Sequence, residues 1–222
     1  MQATLQPTEF IDSDHPAIVD FVNESVAGIA DAREQATRLY YRVRDEIRYE
    51  PYRISFEPAA MRASATLARE DGFCVAKSVL LAAVARAAGI PARLGFADVR
   101  NHLATGKLLD ALGTDIFVWH GYTDLYLDGQ WVKATPAFNL TLCEKFGVKP
   151  LEFDGTADSI FHPYDVAGNR HMEYIKDHGT FDELPLDRLV AEYRAFYPYW
   201  DAALEGSFEE DAAAESGAAV PA

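Results

Sequence analysis

The sequence predicts a mixed α+β chain, and three observations predict it. The first is the run CVAKSVLLAAVARAA over residues 74–88, in which only Lys77, Ser78 and Arg86 are polar. A helix that is apolar nearly all round is a buried one. The second is Asp128-Gly129, set between IFVWHGYTDLYL and QWVKATP. An Asp-Gly pair between β-rich runs signals a hairpin. The third is helical periodicity near both ends of the chain.

In order, helices are expected from about His15 to Ala30 and from Asp31 to Tyr49. Leu39, Tyr40, Val43 and Ile47 share one face of the second, and Pro51 ends it. A loop with Tyr52, Phe56, Pro58 and Met61 leads to a helix or turn over Ala63 to Ala68. The buried helix follows, with Cys74 in its first turn, Gly89 as its C′ residue and Pro91 as its stop. Residues 93–99 read as a strand, and NHLATGKLLDALGT as a loop with a helical turn. With a two-residue hairpin loop, Leu127 pairs with Gln130 and Asp124 with Lys133. His120, Tyr122 and Asp124 then share a face, with Thr135 as the diagonal neighbour of His120. Asp124 lies too far along the strand to orient that imidazole, so a cross-strand pair with Lys133 is expected. Past Pro136 the chain looks irregular, mixed and aromatic from Cys143 to Pro185, with a last helix from Leu186 to Tyr197. Residues 1–200 are expected to form one domain. Residues 201–222 are acidic, without a basic residue, and read as a disordered tail.

The formal net charge of −15 disfavours phosphate backbones and anionic lipid, so neither nucleic acid nor a membrane is an expected partner. No apolar run has the length of a membrane span. The first residues, MQATLQPTEFIDSDHP, carry no secretory signal. With two cysteines only, the expectation is a cytoplasmic protein with free thiols. Neither metal-ligand spacing nor a phosphate-binding glycine motif is present, so no cofactor is expected.

A thiol at a helix N-terminus meets unpaired amides and the positive end of the dipole. Both favour the thiolate, and the same amides can hold an oxyanion. GFCVAKSVLLAAVARAAGIPARLGF resembles the cysteine-helix block of the transglutaminase-like superfamily, and HGYTDLYLDGQWVKATP is similar to its histidine block. The resemblance runs from about Ala36 to Asn139. It implies a cysteine-proteinase-like fold, with the cysteine helix packed on an antiparallel sheet that carries the histidine. It implies acyl chemistry, with Cys74 as nucleophile and His120 as general base and acid. The third family residue is an aspartate before proline. Here Thr135 stands there, followed by Pro136. Thr135 is the first choice to orient the imidazole and Asn139 the second.

Hydrolysis of an amide, peptide or thioester is the expected activity. A non-catalytic binding module, a cysteine endopeptidase and a true transglutaminase are the alternatives. The acyl substrate would be a small molecule or a peptide. Candidate substrate contacts are Trp119 and Tyr122 beside His120, Asn101 and His102 on the loop after the strand, and His162 and Arg170 in a polar, aromatic stretch. Arg170 suits a substrate carboxylate. Cys143 is expected to be inert.

Overall fold

The computed structural model describes residues 2–102, 104–161, 172–197 and 204–218. Helix α1 (Pro16–Val26) begins with proline at its first position, where no amide donor is needed. Helix α2 (Ala32–Glu46) is capped by Asp31, whose side chain accepts the Glu34 amide at 2.9 Å. Its other end is closed by a residue distant in sequence. The ammonium of Lys77, with no exposed surface, donates to the Arg44 carbonyl at 2.9 Å and to the Ile47 carbonyl. Burial pushes that ammonium's pKa well below its usual range.

Strand β1 (Arg48–Tyr49) pairs in parallel with β2 (Asp71–Gly72), across α3 (Pro58–Met61) and α4 (Ala63–Arg69). Helix α5 (Cys74–Ala87) follows, and every one of its residues from Cys74 to Arg86 is buried. Strand β3 (Ala92–Asn101), helix α6 (Gly106–Leu112), strand β4 (Ile116–Leu127) and strand β5 (Gln130–Ala134) come next. After helix α7 (Leu140–Phe146) come strand β6 (Met172–Phe181), helix α8 (Leu186–Phe196) and helix α9 (Phe208–Ala218). The second sheet is antiparallel throughout, in the order β5-β4-β3-β6. Helix α5 packs on β4 and β3, so the fold is the α+β arrangement that the resemblance implies.

The hairpin register is the predicted one, with Leu127 opposite Gln130 and Asp124 opposite Lys133. The predicted ion pair is not. Asp124 binds the Arg93 guanidinium of β3 through two nitrogens, at 2.8 and 3.0 Å. A planar guanidinium on the neighbouring strand offers two parallel donors where an ammonium offers a point charge. Strand β6 replaces part of the stretch expected to be irregular. Residues 201–222 were expected to be disordered, yet helix α9 lies within them. Phe208 and Ala212 are buried, Phe208 stacks edge-on against Tyr49 and Tyr52, and Glu209 meets Lys145 at 2.8 Å. Among the described residues, no helix is long and apolar enough to cross a membrane, and no cluster of metal-ligating side chains occurs.

Candidate active site

Phe73 precedes α5 in extended conformation and gives it no side-chain cap, so the first-turn amides are left to other partners. Cys74 is the first residue of that turn and is 6% exposed. Burial pushes its thiol up to about 11, against the backbone N–H groups of Gly121, Val75 and Cys74 itself, which pull it down. Loss of water here outweighs the three amide dipoles that favour the thiolate.

His120 reaches the same place from β4. It is buried, and its ring meets Phe161 edge-on at 5.4 Å. The juxtaposition depends on Gly121. A Cβ there would lie 3.0 Å from the Val75 Cα and 3.2 Å from the Cys74 carbonyl oxygen. Strand and helix therefore touch backbone to backbone one residue past His120. Two residues on, the Thr123 hydroxyl donates to the Ser78 carbonyl at 2.9 Å and holds the strand on the helix.

Before His120, β4 bulges. Val118 and Trp119 together oppose the single residue Asp98 of β3. Trp119 takes a φ of 57°, in the left-handed region that a bulky residue occupies only under constraint. The constraints are visible. The Trp119 amide donates to the Asp98 carboxylate at 3.0 Å, and its indole N–H donates to Glu192 at 2.8 Å. The Val118 amide donates to the Tyr197 hydroxyl at 2.8 Å. Asp98 also accepts from Nε2 of the buried His178 at 2.6 Å, and that imidazole stacks on the Trp119 ring.

Cys74 and His120 both open onto a cavity of about 250 Å³. Its walls include Tyr49, Tyr52, Ile54, Phe73, Leu108, Val118, Tyr193 and Tyr197. Sequence reading named none of these as site residues. Their aromatic character was visible, but they come from segments distant along the chain.

The other predicted site residues are placed as follows. The Thr135 hydroxyl is buried and has no hydrogen-bond partner among the described residues, so it does not hold the imidazole. Its amide and carbonyl are engaged, with the Ser159 carbonyl and the Tyr40 hydroxyl. The Asn139 side chain accepts the Tyr49 amide at 3.0 Å and donates to the Thr141 hydroxyl at 2.7 Å, which ties α7 to β1. Trp119 is fully buried and off the cavity wall, so it aims the backbone beside His120 instead of touching a substrate. Tyr122 lies over Gly95 and lines a separate depression with Lys133 and Tyr174. Asn101 is buried at the end of β3, and His102 pairs with Glu173 at 3.5 Å; both are off the cavity. His162 and Arg170 lie outside the described residues.

Both thiols carry a consequence for alkaline stability. Burial pushes Cys143 up to about 11 as it does Cys74. An acid whose folded pKa is raised stabilises the fold fully below its unfolded value of about 8.5, and that stability is lost as pH rises through the folded value. Each thiol is expected to cost on the order of 2 kcal/mol by about pH 10. Urea unfolding at pH 8 and pH 10 reads the loss. Iodoacetamide labelling of native Cys74 is expected to climb throughout that range. A plateau reached below pH 7 would instead reveal a pre-formed thiolate–imidazolium pair.

The model of the transglutaminase-like superfamily matches residues 19–136, more than half of the chain. No curated protein matches. A crystal structure described as a "putative cysteine protease" from Cytophaga hutchinsonii is 15% identical, with a TM-score of 0.47; the match covers 80% of this chain and 53% of that one. A second, described as a "putative protease" from Parabacteroides distasonis, is 16% identical with a TM-score of 0.39, covering 60% of this chain and 26% of that one. This chain thus spans about half the length or less of these solved structures. With the matched segment carrying α5, β4 and the cavity's cysteine and histidine, the chain belongs to the transglutaminase-like superfamily.

Proposed function

We propose that this protein is a thiol-dependent hydrolase working through an acyl-enzyme on Cys74. The observation that carries the reading is the shared cavity. Cys74 enters it from the uncapped first turn of a buried helix and His120 from the strand laid against that turn. Burial favours the neutral form of the Cys74 thiol at rest. As the Cys74 sulfur attacks a carbonyl carbon, its proton passes to His120 and the C–S bond forms. The carbonyl oxygen gains the negative charge and meets the first-turn amides. Collapse breaks the bond to the leaving nitrogen, oxygen or sulfur, which takes the proton from His120. Water, deprotonated by His120, then attacks the thioester and releases the acid and the free thiol. Both cysteines are free, in keeping with work in a reducing cytoplasm, and the charge of −15 leaves nucleic acid an improbable ligand.

The test is a panel of activated esters and thioesters followed by intact mass. Wild-type protein is expected to gain one acyl group at Cys74 and to turn over. Cys74→Ala should gain none, and His120→Ala should slow acylation by about 100-fold or more. Acylation that proceeds unchanged in both variants rules the mechanism out.

A further inference from the structure

The cavity has a chemistry of its own. Its walls are aromatic and aliphatic, chiefly Tyr49, Tyr52, Phe73, Leu108, Tyr193 and Tyr197. The hydroxyls of two of these are already engaged. Tyr52 bonds to Thr105 and Asp211, and Tyr197 to Val118 and Ile116. These two therefore meet a ligand mainly with ring carbons. Arg53 is the one arginine among the described residues lining the cavity, and no lysine, aspartate or glutamate is among them. The Arg53 side chain is 58% exposed and pairs with Asp71 at 3.6 Å, so it belongs to the rim.

Size narrows the class further. A cavity of roughly 150 Å³ accepts benzene. The present one, about 250 Å³, has room for a ring and a short link to the sulfur. Polypeptide is a poor guest. Beyond the hydroxyls of Tyr49 and Tyr193, these walls offer its repeated amide groups little to bond to, and each unpaired group is costly to bury.

Resting on the reading of Cys74 as acyl acceptor, we infer that the site takes a small apolar acyl group, of the size of phenylacetyl or a branched six- to eight-carbon acyl chain, carried on a small molecule. Each buried methylene is worth roughly a fourfold gain. A phenylacetyl group is thus expected to react at least about 30-fold faster than acetyl.

The experiment compares acetyl and phenylacetyl thioesters of N-acetylcysteamine with a glutaminyl peptide, on the full chain. Rates of Cys74 acylation are read by intact mass. Ala111 lines the cavity from α6 and is only partly buried, so Ala111→Phe can fill the space. That variant should reverse the order, with acetyl now faster than phenylacetyl. A ratio measured on wild type alone already decides the matter if the variant does not fold. Equal rates, or preferred reaction with the glutaminyl peptide, overturn the inference and leave the acyl-enzyme standing. Acylation by none of the three overturns both. Independently of chemistry, Cys74→Ala protein should bind phenylacetamide at least about 30-fold more tightly than acetamide by calorimetry. Equal binding of the two amides also overturns the inference.

Discussion

Gly121→Ala is expected to slow acylation of Cys74 by about 100-fold while the protein still folds. The added Cβ would lie 3.0 Å from the Val75 Cα and 3.2 Å from the Cys74 carbonyl oxygen and the Ser78 Oγ. Two of those three atoms are backbone at the first turn of α5, and backbone cannot rotate aside. The strand must lift from the helix, which carries His120 away from Cys74. A displacement of about 1 Å at reacting groups can cost about 100-fold. Overpacking of this kind costs about 1–3 kcal/mol in stability. Acylation kinetics and urea unfolding on one preparation separate the two effects. Removing the third contact as well, in Gly121→Ala/Ser78→Ala, should give no rescue, because the backbone contacts remain. A Gly121→Ala protein that acylates at the wild-type rate contradicts the backbone-contact account.

The largest loss of stability is expected at Arg86, far from the cavity. Its guanidinium lies in the interior and binds three backbone carbonyls, those of Ala92 at 3.0 Å, Gln6 at 2.6 Å and Asp182 at 2.7 Å. One side chain thus joins the N-terminal segment, the start of β3 and the turn after β6 to the end of α5. Arg86→Leu keeps the aliphatic bulk, strands the buried Ala92 carbonyl and removes the part-buried bonds to Gln6 and Asp182. At about 1–3 kcal/mol for the stranded acceptor, with about 1 kcal/mol or more for each of the two charge-assisted bonds lost beside it, the expected cost is about 3–5 kcal/mol. For a chain of this length that lowers Tm by roughly 10 °C. Arg86→Lys can serve only part of the fork and should fall between. A loss under about 1 kcal/mol for Arg86→Leu would mean that the carbonyls find water.

What could be read from the sequence was whatever is dictated locally. The apolar run after Cys74 could only be a buried helix, and Asp128-Gly129 fixed a register that the strands obey. Cys74 and His120 were named because motif and position agree. Strand β6 was hidden for a physical reason. It is an edge strand, exposed along most of its length, with two register shifts against β3, so it shows no alternation of apolar and polar residues. Helix α9 was hidden because acidic composition signals disorder, whereas one phenylalanine and ion pairs to Lys107 and Lys145 dock it. The preference of Asp124 for Arg93 over Lys133 needed knowledge of which strand lies on its other side. Thr135 illustrates the limit of spacing. The register brought it to the expected end of β5, but the hydroxyl's surroundings were a tertiary matter.

The bulge at Val118 and Trp119 has an evolutionary consequence. Cys74 and His120 both belong to the segment 19–136 that matches the superfamily, yet the groups clamping the bulge include His178, Glu192 and Tyr197, all downstream of it. The Cys74–His120 pair and the groups that set its aim therefore lie in different parts of the chain. Drift in β6 or α8 can shift the imidazole without changing either member of the pair. A segment cut at the family boundary would keep the cysteine and the histidine but lose these three clamps. Under the proposed function, selection for new substrates thus has a route through the periphery, at sites that a motif comparison passes over.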